Sequence, residues 1–241
     1  MDDSTRVSPT PHLAVGSSGA RILEHLAQVE TERARRQGDA LHAERVEAIK
    51  QYQHARFEAT YADMLASPKY GKAARFFLED LYGPHDFSQR DGEFARVVPA
   101  LVRLFPQEIL ATVEALAALH SLSERLDGAM AGVLTAMPLT AAGYGEAWRR
   151  VGFAEERERQ IGLMLAVGQA LDRYTRKPLL RHSLRLMRGP AQAAGLSTLQ
   201  RFLERGFETF ADMRGAAPFL SAIAEREAAL AVRLFEAGGA A

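Results

Sequence analysis

Cysteine is absent from the 241 residues, which excludes disulfides, thiolate-held zinc, iron–sulfur clusters and cysteine nucleophiles together. The same absence fits a reducing compartment. Net charge is absent too. Thirty Lys and Arg stand against thirty Asp and Glu, so the chain lacks the positive field of a nucleic-acid binder, and nucleic acid is not an expected partner. Lysine is scarce, limited to Lys50, Lys69, Lys72 and Lys177. The basic side is therefore nearly all arginine, a bias that fits a GC-rich bacterial genome better than a particular activity. No apolar run approaches the ~20 residues needed to cross a bilayer, so no transmembrane segment is expected. Residues 1–19 hold Asp2, Asp3, Pro9 and Pro11 and lack the charged start and apolar stretch of a secretion signal. They read as a disordered leader, and the chain as cytoplasmic.

What is present is helical periodicity. Apolar residues recur at three- and four-residue spacing in nearly every segment after Gly19, and strand alternation is almost missing. Gly38 and Asp39 read as the end of one helix and the cap of the next. Phe76, Phe77 and Leu81 give a short helix an apolar side, and Gly83-Pro84 stops it. A polar connector is expected over residues 85–92. A helix from Glu93 to Phe105 follows, with Phe94, Val97, Val98, Leu101 and Leu104 facing inward. Pro106 opens a long helix whose seam includes Leu119, Leu122, Leu126 and Met130, with Gly128 and Gly132 permitting close contact. The expected fold class is all-α: a single bundle-like domain of about eight or nine helices with short, antiparallel connections. Its bounds are residues 20–237, with residues 238–241 as a flexible tail.

Two segments stand out chemically. The first concentrates Glu79, Asp80, Tyr82, His85, Asp86, Arg90 and Asp91 beside several aromatics. A histidine among carboxylates can bind metal or move protons. The plainer reading leaves Glu79 and Asp80 on a solvated face, Asp86 as a cap and Arg90 as the partner of a carboxylate. The second is a run of basic residues containing Arg181, Arg185 and Arg188. At spacings of four and three these share one helix face and form a candidate anion-binding stripe for a weak anionic partner. Solvated ion pairs with Glu155, Glu156 and Glu158 are the alternative.

Further along, His120 and Glu124 lie one helical turn apart, as two ligands or as an ordinary pair. His120 follows Leu119 in an apolar helix, a position that a haem ligand also takes. Tyr144 and Trp148, the single tryptophan, read as core packing. No P-loop, nucleophile elbow or dinucleotide fingerprint appears. No catalytic residue, metal ligand or cofactor is assigned.

The run Phe76-Phe77-Leu78-Glu79-Asp80-Leu81-Tyr82-Gly83-Pro84, with Asp86-Phe87 and Arg90-Asp91 after it, resembles the signature of an uncharacterised bacterial family named after its FFLEELY motif. Asp80 stands where that name has Glu. The resemblance implies a bacterial origin and carries over no activity. The function read from the sequence is therefore open. The leading expectation is a non-enzymatic helical protein that interacts with a protein partner or with itself, or regulates one. The alternatives are a sensor domain with a pocket near residues 76–91 taking haem or metal, and a metal-dependent enzyme using His85.

Overall fold

The computed structural model describes residues 17–81, 83 and 85–236. Tyr82, Pro84, the first sixteen residues and the expected tail lie outside the described residues. All regular structure among them is helical, with no strand, so the chain is an all-α protein. Among the described residues twelve α-helical segments and one π-turn occur, more than the eight or nine expected. The helices are α1 (Ser18–Gly38), α2 (Ala40–Thr60), α3 (Ala62–Ala66), α4 (Gly71–Phe76), α5 (Ser88–Leu104), α6 (Gln107–Val133), α7 (Ala141–Val151), α8 (Ala154–Thr175), α9 (Pro178–Leu186), α10 (Arg188–Ala193), α11 (Ser197–Met213) and α12 (Ala217–Glu236). The π-turn, Phe77–Leu81, continues directly from α4.

Local chemistry sets the helix ends. Ser17 caps α1 through Ala20 N–H, so the first helix begins two residues before the expected boundary. Asp39 accepts the His42 amide at 3.0 Å and starts α2 where Gly38 ends α1. The connector expected over residues 85–92 is half helix. The Asp86 carboxylate accepts the Ser88 amide at 2.9 Å and the Ser88 hydroxyl at 2.8 Å, and α5 starts there. Arg90 and Asp91 are therefore helical and buried. Leu104, expected to face inward, is 74 % exposed at the last turn of α5.

The longest helix, α6, is the axis of the fold. It packs against α1, α2, α7 and α8, while α11 and α12 close over α8 from the far side. Its apolar residues feed four cores, the smallest, Ala170, Tyr174 and Phe207, through the partly buried Ile109. Leu119 joins Phe57, Tyr61, Phe76, Phe77, Phe210 and Phe219. Met130 and Ala131, with Leu134 just past the helix end, join Val46, Ile49, Tyr144 and Trp148. Ala117 joins Ile22, Leu26, Phe94 and Val98. A Cβ at Gly128 would meet only the tip of a flexible side chain, a Glu32 carboxylate oxygen 2.7 Å away, and one at Gly132 only Arg35 Nη2 at 3.9 Å, so neither glycine is required for the close contact expected there. Between α7 and α8 the chain turns at Gly152 (φ +69°) and Phe153 (φ +58°). A phenylalanine in left-handed backbone is strained, and the pair sets the angle between two helices that wall a cleft described below.

Phe76 and Phe77 are both 2 % exposed although adjacent in sequence. Phe76 stacks on Phe202 at 5.5 Å, while Phe77 meets Phe210 at 6.1 Å and Phe219 edge-on at 5.6 Å, so α4 is covered on a wide face. Truncating Phe77 to Ala should cost about 3–5 kcal/mol in urea unfolding. Truncating Glu79, whose half-exposed carboxylate only pairs with Arg205, should cost about 0–1 kcal/mol. Equal losses would contradict this packing.

Candidate functional site

The π-turn changes how the candidate segment is displayed. Regular α-helix would put Glu79 and Asp80 together on the open side. In the wider turn Glu79 stays about half exposed, but the Asp80 side chain is 17 % exposed and faces Arg205 at 3.0 Å. Burial pushes the Asp80 carboxyl up and Glu79 adds to this, while Arg205 and Arg90 oppose it. The expectation that Asp80 is solvated is thus corrected, and the cause is a backbone form with no mark in residue spacing.

Asp91 is the hub of the segment. Its carboxylate takes hydrogen bonds from Arg33 of α1 at 2.9 Å and from Arg90 at 3.2 Å, and lies 2.8 Å from His120 Nε2 of α6. Arg90 also donates to the Asp80 carbonyl at 2.8 Å and sits over the Phe87 ring, 4.1 Å from its centre. Burial alone would raise the Asp91 carboxyl; the His120 and arginine contacts outweigh it and hold it well below the usual carboxylate range. Arg90, Asp91 and His120 line a small hollow with Leu26, Phe94, Leu116 and Phe202. The hollow lies beside residues 76–91, but its polar wall is already satisfied internally.

His85 does not join this cluster. It is exposed, packs edge-on to Phe87 at 6.3 Å, and has no hydrogen bond or ion pair to a carboxylate among the described residues. His120 and Glu124 also part ways, because Glu124 takes Lys50 at 2.5 Å and Arg36 at 2.6 Å. Among the described residues no group of three or more His, Asp or Glu is placed to hold a metal ion.

The basic stripe is interrupted. Pro190 has no N–H to give the Leu186 carbonyl, so α9 ends at Leu186 and Arg188 starts α10. Arg188 then grips Glu204 of α11 with bonds of 2.7–3.1 Å, and Arg185 lies 3.7 Å from Glu208. Arg181 alone has no ion pair among the described residues. The acids that answer the stripe are on α11, not at Glu155, Glu156 and Glu158. Beside these charges α9 exposes Leu179 (82 %), Leu186 (67 %) and, just past its end, Met187 (51 %). None of its nine residues is buried.

One further site escaped the sequence. Residues of α2, α7, α8 and α12 surround a small open cleft of about 70 Å³. Tyr144 and Trp148 are indeed packed in the core, yet both also form its wall. Arg157, 4 % exposed, lays its guanidinium 3.9 Å from the Trp148 ring centre. Arg56 binds Glu227 with two bonds, at 2.8 and 3.1 Å, and Tyr61 donates to the same carboxylate at 2.8 Å. The signal available was faint: two arginines and two glutamines, Gln53 and Gln160, on helices more than a hundred residues apart in sequence.

Residues 32–240 match a family described as Domain of unknown function (DUF8198). The chain belongs to this family. No curated protein and no solved structure matches it. The matched region begins inside α1 and takes in the Asp91 hub, α9 and the cleft, so all three are features of the family domain as this chain builds it.

The Asp91 hub has a measurable signature. Removing its charge with Asp91→Asn should cost about 3–5 kcal/mol at pH 7, because Arg33 and Arg90 are left without their carboxylate. Its folded pKa is depressed, so its contribution is complete above the unfolded carboxylate value of ~3.9 and is lost as pH falls through the folded one. The stability gap between wild type and variant in denaturant melts should start to close below pH ~4. A gap constant down to acid pH would show that Asp91 acts by shape alone.

Proposed function

We propose that this chain is a non-enzymatic binding or regulatory protein that works through the face of α9, and that the partner is a protein, in the first instance a second copy. The observation that carries this is a helix with no buried residue presenting Leu179, Leu186 and Met187 to solvent. Exposed apolar strips rimmed by charge mark interaction sites. The rim carries both signs, Arg181 and Arg185 on α9 beside Glu208 on α11. Two copies related by a two-fold axis can set basic edge against acidic edge around the leucines. The neutralised arginines support a mixed-charge partner over a purely anionic one.

A bacterial origin, membership of the FFLEELY-motif family and a cytoplasmic location are part of the same proposal. They rest on residues 76–91 and on the cysteine-free, arginine-rich composition. No helix among the described residues is long and apolar enough to cross a membrane.

Sedimentation velocity tests the docking face. The wild-type chain should shift from monomer to dimer as its concentration rises to the order of 100 µM, a range typical of weak association. Leu179→Asp with Leu186→Asp should stay monomeric with unchanged helical circular dichroism, since neither leucine supports the core. A wild-type chain that remains monomeric throughout would overturn self-association.

A further inference from the structure

We propose that His182 makes self-association through α9 sensitive to protons, so that two copies joined at neutral pH separate on mild acidification. This rests on the reading of α9 as a docking face and adds the condition under which that face closes. Helix register places the residue. Leu180 and Leu184 pack inward against Tyr174 of α8 and Phe207 of α11. His182 lies two residues from each, about two hundred degrees around the helix, so it points away from the body of the domain. It is exposed, and among the described residues it makes no hydrogen bond or ion pair. Its neighbours on the helix surface are three and four residues away. Leu179 stands three before it and Leu186 four after, the two exposed leucines of the docking face. The imidazole is therefore inside the apolar strip and not at its rim. A strip that closes on its own copy about a two-fold axis brings whatever lies at its centre against its counterpart. The midpoint between Leu179 and Leu186 falls between His182 and Ser183, so two joined copies bring their imidazoles together among the leucines.

Charge decides what that centre tolerates. On α9 the charged groups nearest His182 are Arg181, next to it, and Arg185, about one turn on, both exposed. The elements packed against α9 supply no compensating anion. On α11, Glu204 is held by Arg188 of α10, and Glu208 faces Arg185. On α8, Asp172 pairs with Arg176, while Arg173, and Lys177 just beyond the helix, face Glu108 of α6. None of these carboxylates pairs with His182. Neutral imidazoles can be covered, because each keeps one donor and one acceptor that can meet across the axis. Imidazolium cannot, because two like charges would lose their water with arginines beside them. An imidazole in water takes up its proton near pH ~6.5. The joined copies then hold fewer protons than the separate ones, so association weakens as pH falls through that value. The carboxylates and guanidiniums of the rim keep their charges between pH ~7.5 and ~5.5.

Sedimentation velocity on the intact chain at pH ~7.5 and ~5.5, at equal ionic strength, reads the effect. Wild type should dimerise at the higher pH and at least about tenfold more weakly at the lower. His182→Gln, which keeps a polar but uncharged side chain, should dimerise equally at both. His182→Arg, which fixes a charge at the centre, should associate at least about tenfold more weakly than wild type at pH ~7.5. The side chain supports no core, so both variants should keep the helical circular dichroism of wild type at both pH values. The remaining histidines are intact in His182→Gln, so a pH dependence that survives this substitution would overturn the assignment, as would undiminished association of His182→Arg. Equal association of wild type at both pH values would overturn the proton dependence and leave the docking face standing. A wild-type chain monomeric at both would remove the docking face and the proton dependence with it.

Discussion

A carboxylate in the middle of the longest helix obliges its neighbours to answer it. Glu124 of α6 is 5 % exposed and remains an anion only because Lys50 of α2 and Arg36 of α1 reach it. Burial alone would raise its pKa; the two cations outweigh that penalty and keep it below the ordinary value. One turn either way the demand repeats. His120 reaches Asp91 of α5, Ser121 donates to Gln28 of α1 at 2.7 Å, and Asp127 takes Gln53 of α2. Ser123 receives Gln160 of α8 at 2.8 Å. Each helix lying on this stretch of α6 thus supplies a polar partner at a fixed height. Apolar packing would tolerate small slides between these helices, whereas a buried charge tolerates none.

The two sides of α6 divide the labour. Toward α1 and α5 the polar groups close on one another, and the hollow beside Asp91 is left with little to offer a ligand. Toward α7, α8 and α12 the wall leaves two donors, Trp148 Nε1 and Arg56 Nε, without a partner among the described residues. The strained turn at Gly152 and Phe153 belongs to this second side, holding Trp148 of α7 and Arg157 of α8 face to face. Strain at a turn that frames a cleft is consistent with a site whose geometry has been favoured over its local stability.

Legibility in the sequence followed the range of the interactions involved. Helical class, the Gly38–Asp39 break and the long helix after Pro106 are local matters of period, cap and proline, and they were readable. The start of α5 is not, because a capping Asp86 does not fix how soon the helix follows it. The π-turn has no periodic mark at all. It moves Asp80 from the solvated side to Arg205. Three candidates of that segment, Asp80, Arg90 and Asp91, are joined around one guanidinium, while His85 stands apart. The cleft was invisible because its walls come from four helices spread over α2 to α12, and Tyr144 and Trp148 look the same in a core as at its edge. The polar seam of α6 was half seen: His120 and Glu124 were noticed as a pair, but Ser121 and Asp127, one turn along the same apolar helix, complete the pattern.

That seam also limits how the chain can change in length. Each residue advances an α-helix by about a hundred degrees. Deleting one residue between His120 and Asp127 would swing Asp127 away from Gln53 and turn the aliphatic side chains after it toward the cations of α1 and α2. An insertion would do the same in the opposite sense. The turn at Met187, between two short helices already offset from each other, carries no such constraint. Within this domain, insertions and deletions should therefore collect around α9 and α10, and the spacing from His120 to Met130 should keep its length whatever happens to its residues.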